Sequence, residues 1–217
     1  MDLTIEEART LVADSALWPR IRDFLWDFAP QVHETWLEGV FASADYNRLQ
    51  STAIESPRVK RFILETLEVT PCFHAFPKND WSRLLLLDGS TLLEICKWLG
   101  ALACADSLRH VMDGKTVREL KAALPGVYPG VFGYTMYFGE FVSRRGAETQ
   151  SLPTALVEEG YSLLMSVFSE LPSSLVSRLK FKLPKGLCVS APPREIKVSS
   201  ILKLLKLRFP EAYSLCC

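Results

Sequence analysis

The sequence predicts an all-α protein, an irregular bundle of about eight to ten helices, and three observations carry that expectation. Apolar residues recur three and four apart along most of the chain, the spacing that lines one face of an α-helix. Helix-start signals punctuate those stretches, as a first-turn proline or as Thr followed three residues later by Glu. Hydrophobic residues fill 48% of 217 positions and charged residues 23%, enough to bury a core and too little charge for a disordered chain. One short stretch alternates instead, and it admits a small β-hairpin near residues 178–190.

Taken along the chain, Thr4 and Glu7 make a capping box for a helix over 5–13, with Ile5, Ala8, Leu11 and Val12 on one face. Pro19 and Pro30 sit where a first-turn proline belongs and start helices running to Phe28 and Phe41. Ser56-Pro57 caps a short helix to Leu67, and Pro71, Pro77 and Asn79-Asp80 mark 69–80 as a connecting loop. Four consecutive leucines follow at 84–87. Thr91 and Glu94 form a second capping box leading into an apolar helix. The core is expected to centre on Leu84, Leu86, Leu92, Ile95, Leu99 and Leu102.

Arg109, Val111 and Met112 fall in the next helix, which Asp113-Gly114 is expected to end, glycine being the usual left-handed cap. Thr116 with Glu119 opens another, through Leu124, and the six residues 125–130 read as a turn. Helices are expected over 131–142 and 154–171, joined by a polar link. Arg178-Leu179-Lys180-Phe181-Lys182-Leu183 then alternates strictly, which would gather its charges on the wet face of a strand. Pro192-Pro193 precedes a last amphipathic helix over 198–209, built on Ile201, Leu204, Leu205 and Leu207. The whole reads as one helical domain, 1–217, with an acidic section 1–68, a hydrophobic core section 81–171 and a basic section 172–217.

Twenty-five acidic and twenty-five basic residues cancel, which argues against general nucleic-acid binding. Their distribution is uneven. Residues 1–55 hold ten acids and four bases, whereas 171–217 hold nine bases and two acids. Either the two ends attract each other within one fold, or they offer surfaces of opposite sign to different partners, or they are ordinary solvated helix faces. The candidate protein-binding residues are Arg178, Lys180, Lys182 and Lys185 on the alternating stretch, Lys203 and Lys206 on the last helix, and Glu34 and Glu38 in the acidic section. Lysines that discourage edge-to-edge pairing explain the first group equally well.

Six cysteines include no CxxC pair, and Cys96 and Cys104 lie in an apolar helical stretch, so reduced thiols and an intracellular setting are expected. Cys216-Cys217 reads either as a lipid-attachment signal or as a frayed end. The first residues are acidic where a secretion signal is basic, and the uncharged run 122–139 is broken by Pro125, Pro129 and three glycines, so neither a targeting peptide nor a membrane span is expected. His33, His74 and His110 are scattered, and Cys72 with His74 lacks the partners that complete a zinc set. No GxSxG, GxxxxGK[ST] or GxGxxG occurs. Tyr128, Phe132, Tyr134, Tyr137, Phe138 and Phe141 lack interleaved cations and suit packing better than base stacking. No catalytic residue, cofactor or metal is expected.

Three segments carry a resemblance. The leucine run after Trp81, the Leu99-Gly100 helix, and Leu108-Arg109-His110-Val111 leading through Gly114 into another short helix resemble the SctK family of type III secretion, also called YscK or OrgA. Arg178 to Pro184 is similar to that family's Arg-Leu-x-Leu-x-Leu-Pro segment, and Leu202-Lys203-Leu204-Leu205-Lys206 with Phe209-Pro210 to its basic C-terminal helix. The resemblance covers roughly the last two thirds of the chain. It implies a non-enzymatic cytoplasmic adaptor of the injectisome's sorting platform, a virulence-associated protein-transport assembly, held near the inner membrane through that assembly. The implied partners are an SctQ-like pod protein and an SctD-like inner-membrane ring protein, with the stator and ATPase indirect; nucleic acid and membrane insertion have no part in it. Two other readings stay open: an intracellular helical scaffold or chaperone-like protein unrelated to secretion, and an enzyme with a site that no motif marks.

Overall fold

A computed structural model of the chain describes residues 17–38, 40–41, 56–69, 76, 80–135, 152–188 and 198–216. Among the described residues all regular structure is helical, as the periodicity predicts. The α-helices are α1 (Trp18–Leu25), α2 (Glu34–Leu37), α3 (Pro57–Thr66), α4 (Gly89–Ala103), α5 (Ala105–Arg109), α6 (Gly114–Ala123), α7 (Leu152–Val167), α8 (Ser173–Phe181), α9 (Val198–Arg208) and α10 (Pro210–Cys216). Short 3₁₀ segments lie at Ala29–Gln31, Asp80–Leu86, Gly130–Gly133 and Lys185–Cys188. The expected helix over 5–13, nearly all of the 69–80 loop, the link over 143–151 and Pro192-Pro193 lie outside the described residues. The chain divides into two compact units, one of Met1–Gly89, Leu171–Lys185 and Ser214–Cys217, the other of Ser90–Glu170 and Gly186–Tyr213.

The first unit corrects the hairpin. Residues 173–181 are helical and 185–188 form a 3₁₀ turn, so no strand forms at 178–188. The physical reason is a second pattern in the same residues. Leu175, Arg178, Leu179, Lys182 and Leu183 are all buried, a stripe at helical spacing that contains two cations. Arg178 and Lys182 are each only 2% exposed.

Both cations answer a need that short helices create, because the last carbonyls of every helix lack intrahelical partners. One guanidinium nitrogen of Arg178 donates to the carbonyl of Phe24 in the last turn of α1, at 3.0 Å. Lys182 Nζ donates to the carbonyls of Leu85 and Leu87, at the end of the Asp80–Leu86 segment, at 2.7 and 2.8 Å. Aromatic faces flank both groups: Lys182 sits 4.9 Å from the Phe24 ring centroid and Arg178 5.2 Å from that of Phe28. Phe24 meets Phe28 and Phe76 edge-on, at 5.8 and 6.2 Å. The carbonyls at the end of α8 are satisfied in turn, Phe181 by the N–H of His33 and Leu183 by Trp36 Nε1. Arg83 does the same for Leu215 at the end of α10, so the final turn reaches Cys216 as helix.

Around that hub, α1 packs on the Asp80–Leu86 segment and α3 on the Ala29–Gln31 turn. Lys60 of α3 pairs with Asp27 at 2.7 Å. Ser56 and Pro57 start α3 as expected. Pro30 starts only the 3₁₀ turn, and α2 begins afterwards at His33, whose Nδ1 accepts from the Thr35 N–H at 3.2 Å. The expected 30–41 helix is therefore two short pieces. Leu84 to Leu87 are all buried, which is why their run shows no periodicity.

In the second unit α4 crosses α7 at glycines. A Cβ on Gly100 would lie on the carbonyl oxygen of Leu156, and one on Gly160 on that of Cys96. The contact is reciprocal, each glycine admitting the other helix's backbone. Leu92, Ile95, Leu99 and Leu102 are buried, as are Leu156, Leu163 and Leu164 of α7, and α6 packs on α7 as well. Helix boundaries in this unit differ from expectation. α4 begins at Gly89, ahead of the Thr91 capping box. Asp113 opens α6 rather than closing α5, because its carboxylate accepts from both the N–H and the Oγ–H of Thr116, at 2.8 and 2.7 Å. Those bonds hold the Asp113 carboxyl below the usual carboxylate range, the Thr116 N–H contributing most. After the turn at 125–129, the described start of the expected 131–142 helix is a 3₁₀ segment, Gly130–Gly133, and residues 136–142 lie outside the described residues.

Two predictions follow from this packing. Leu99→Ala should lower unfolding free energy by about 2–5 kcal/mol and Gly160→Ala by about 3 kcal/mol or more in urea melts, because the first opens a cavity and the second drives a methyl into a backbone oxygen. A change within about 0.5 kcal/mol at either position would contradict the burial described. The second prediction concerns Lys182, whose pKa burial pulls down to about 7 while Asp88 opposes the shift. The unfolded chain then binds a proton that the folded chain has lost, so stability rises with pH above about 7 and levels off near the free-lysine value. Lys182→Met orphans two carbonyls and should cost about 2 kcal/mol at pH 7. Because methionine does not titrate, the gap between wild type and variant should widen by roughly 2 kcal/mol from pH 7 to pH 9. A gap that stays constant across that range would show Lys182 charged throughout.

Candidate functional site

The hub sets which of the sequence-derived candidates face outward. Arg178 and Lys182 do not, since both side chains are committed to interior carbonyls and phenyl faces. Placing them on the wet face of a strand is therefore corrected. The error arises because alternation was weighed by charge, and a cation counts as wet only where no carbonyl needs it.

The other four candidates in the first unit are brought together. α2 lies against the end of α8 through the His33-to-Phe181 backbone bond at 2.8 Å and the Trp36-to-Leu183 bond at 2.9 Å. The Trp36 ring meets Phe181 edge-on at 4.9 Å. Lys180 and Lys185 place their ammonium groups 5.7 and 5.6 Å from the Trp36 ring centroid. The backbone N–H of Lys185 donates to Thr35 Oγ1 at 3.0 Å, which ties the loop after α8 to α2. Glu34 and Glu38, both exposed, flank Trp36 on the same short helix. A half-buried tryptophan with two lysines at its ring is thus built where the acidic and basic sections meet. The bonds that join the two sections at this position come from neutral groups, the Trp36 indole, the Thr35 hydroxyl and the backbone.

Lys203 and Lys206 stand exposed on α9 in the second unit. Lys206 lies 5.9 Å from the Tyr213 ring centroid. Sequence reasoning passed over Arg208, two residues further on. Its guanidinium carbon lies 4.4 Å from the Trp98 centroid and 5.5 Å from that of Tyr134. The visible signal was the uncharged aromatic stretch itself, a surface on which a cation from elsewhere in the chain can be mounted. Tyr134 meets Trp98 edge-on at 5.4 Å and Tyr128 meets Phe132 at 5.7 Å, the packing role expected for them; Tyr137, Phe138 and Phe141 lie outside the described residues.

The chemistry of these surfaces is recognition by charge and by aromatic faces. Among the described residues no group of three His, Cys, Asp or Glu side chains is placed to hold a metal. His33 serves as a helix cap and His110 is exposed, while His74 and Cys72 lie outside the described residues. Cys96 is buried and Cys104 half-buried. Among the described residues no helix is long and apolar enough to cross a membrane.

Comparison with known proteins gives one match. The family model described as YOP proteins translocation protein K (YscK) matches residues 24–216. No curated protein and no solved structure matches the chain.

Proposed function

We propose that this chain, which belongs to the YscK family and is thus a type III secretion protein, acts as a non-enzymatic adaptor of the sorting platform. Family membership sets aside a scaffold or chaperone-like protein unrelated to secretion. The adaptor joins an SctQ-like pod protein to an SctD-like inner-membrane ring protein on the cytoplasmic side of the membrane, with stator and ATPase contacted through the pod.

One observation supports the reading: each of the two units presents its own lysines with an ammonium group set against an aromatic ring, Lys180 and Lys185 in the first and Lys206 in the second. The first unit offers Lys180 and Lys185 at the Trp36 ring, and Glu34 and Glu38 exposed on the helix that carries that ring. The second offers Lys203 and Lys206 along α9. A protein whose work is coupling needs two contact surfaces that differ in chemistry, and it needs no reaction centre. Opposite charges orient such contacts and raise association rates more than they tighten the complex.

The test is co-purification with the ring and pod proteins, using charge reversals that avoid the interior. Lys180→Glu with Lys185→Glu should weaken capture of one partner about tenfold and spare the other. Lys203→Glu with Lys206→Glu should show the reverse preference. Full capture of both partners by both double variants would overturn the assignment of these surfaces, and failure of the wild-type chain to capture either partner would overturn the adaptor itself.

A further inference from the structure

The second unit holds a pair of arginines that the surfaces above do not use. Arg208, the last residue of α9, is exposed, and its guanidinium lies over the Trp98 ring with Tyr134 alongside, donating to the Tyr134 hydroxyl at 3.3 Å. Trp98 is itself only 3% exposed, so the floor beneath Arg208 is part of the core. Arg109, the last residue of α5, is exposed as well. It donates to Thr135 Oγ1 at 2.7 Å, and that hydroxyl donates in turn to the Phe132 carbonyl at 3.0 Å. Two guanidinium groups from the ends of two helices are therefore tied to neighbouring residues, 134 and 135, of one turn. Asp106 pairs loosely with Arg109 at 3.5 Å, and no carboxylate among the described residues pairs with Arg208.

A guanidinium has five N–H donors in one plane. The ring contacts use no donor and one is spent on Tyr134, which leaves the others for another acceptor at an exposed residue. An arginine held in this way has already lost the side-chain freedom that binding would otherwise take from it. Three bases and no acid occur along Val198–Arg208, so the field around that edge is positive. A carboxylate is the planar, two-oxygen acceptor that matches such a fork. A nucleic acid fits less well, because the aromatic face that would stack a base is covered by Arg208.

We infer that Arg208 and Arg109 form a docking site for an acidic segment of a partner protein, one presenting at least two carboxylates a few residues apart. The inference rests on the adaptor reading only in taking the natural ligand to be a platform protein. The probe is a fluorescein-labelled hexaglutamate peptide, titrated by fluorescence anisotropy against the full chain at low ionic strength. Wild type should bind it and release it as salt rises. Arg208→Lys, which keeps the charge and loses the planar fork, should weaken binding about tenfold. Arg109→Gln with Arg208→Gln should abolish it, while Lys115→Gln with Lys121→Gln, an equal charge change on α6, should stay within about twofold. Unchanged thermal melts certify the fold, and Arg208→Lys decides the matter should the double variant unfold. No binding by wild type, equal losses in the two double variants, or tighter arginine-dependent binding of a single-stranded oligonucleotide would overturn the site. Arginine-dependent peptide binding without capture of either platform protein would sink the adaptor reading alone. Capture without peptide binding would sink the docking site alone.

Discussion

The first unit depends on carbonyl oxygens at the ends of short helices, and on two cations that reach them through the interior. α1 has eight residues and α2 four, and the 3₁₀ segments are shorter still or end inside the fold. Each such element leaves its last carbonyls without intrahelical donors, so a fold made of short pieces accumulates unsatisfied oxygens faster than one made of long helices. Where those ends point inward, water cannot satisfy them and an apolar neighbour would leave each at a cost of about 1–3 kcal/mol. Arg178 and Lys182 reach from adjacent turns of one helix to two such ends. Burying a charge is itself costly, which is visible in the lowered lysine pKa. The arrangement holds because carbonyl dipoles and phenyl faces replace water around both groups.

That constraint explains where the sequence was legible and where it was not. Positions whose local pattern and tertiary fate agree were read correctly: α3 behind Ser56-Pro57, the apolar face of α4, the turn at 125–129, and α9. The six residues chosen as the core are all buried. Arg178 to Leu183 failed because two periodicities coexist there. Alternation runs through Leu179, Phe181 and Leu183, while Leu175, Leu179 and Leu183 stand four apart with Arg178 and Lys182 on the same face. Treating cations as solvent-facing selected the wrong one. Asp113 failed differently, since Asp113 to Thr116 and Thr116 to Glu119 both fit a cap. Only the pair of bonds from Thr116 decides between them.

The candidate surfaces were half legible for a related reason. Residue type marked Lys180, Lys185, Glu34 and Glu38, but the bond that brings them to one place joins Trp36 to Leu183, 147 positions apart. No local pattern encodes such a pairing. Separation along the chain also hid Arg208, whose partners Trp98 and Tyr134 belong to other segments. Charge totals misled as well. Of the nine bases in 171–217, Arg178 and Lys182 are interior, so part of the basic excess neutralises helix ends and never reaches a partner.

Aromatic mounting then separates the remaining cations by what they can do. A lysine projecting into water on a flexible stem contributes a screened charge, useful for orienting an encounter and nearly worthless once salt is present. Lys180 and Lys185 against Trp36, and Arg208 on Trp98, are restrained before any partner arrives. Less conformational entropy remains to be lost on contact, so the same Coulomb attraction yields more net affinity. The adaptor proposed above would use both kinds of charge, the free kind in the encounter and the restrained kind in holding a partner. The interior hub makes the restrained kind available in the first unit: by closing the end of α8 against α2, the bonds to Phe181 and Leu183 fix the Trp36 ring on which the two lysines rest. The rigidity of that surface is thus a consequence of satisfying backbone oxygens beneath it.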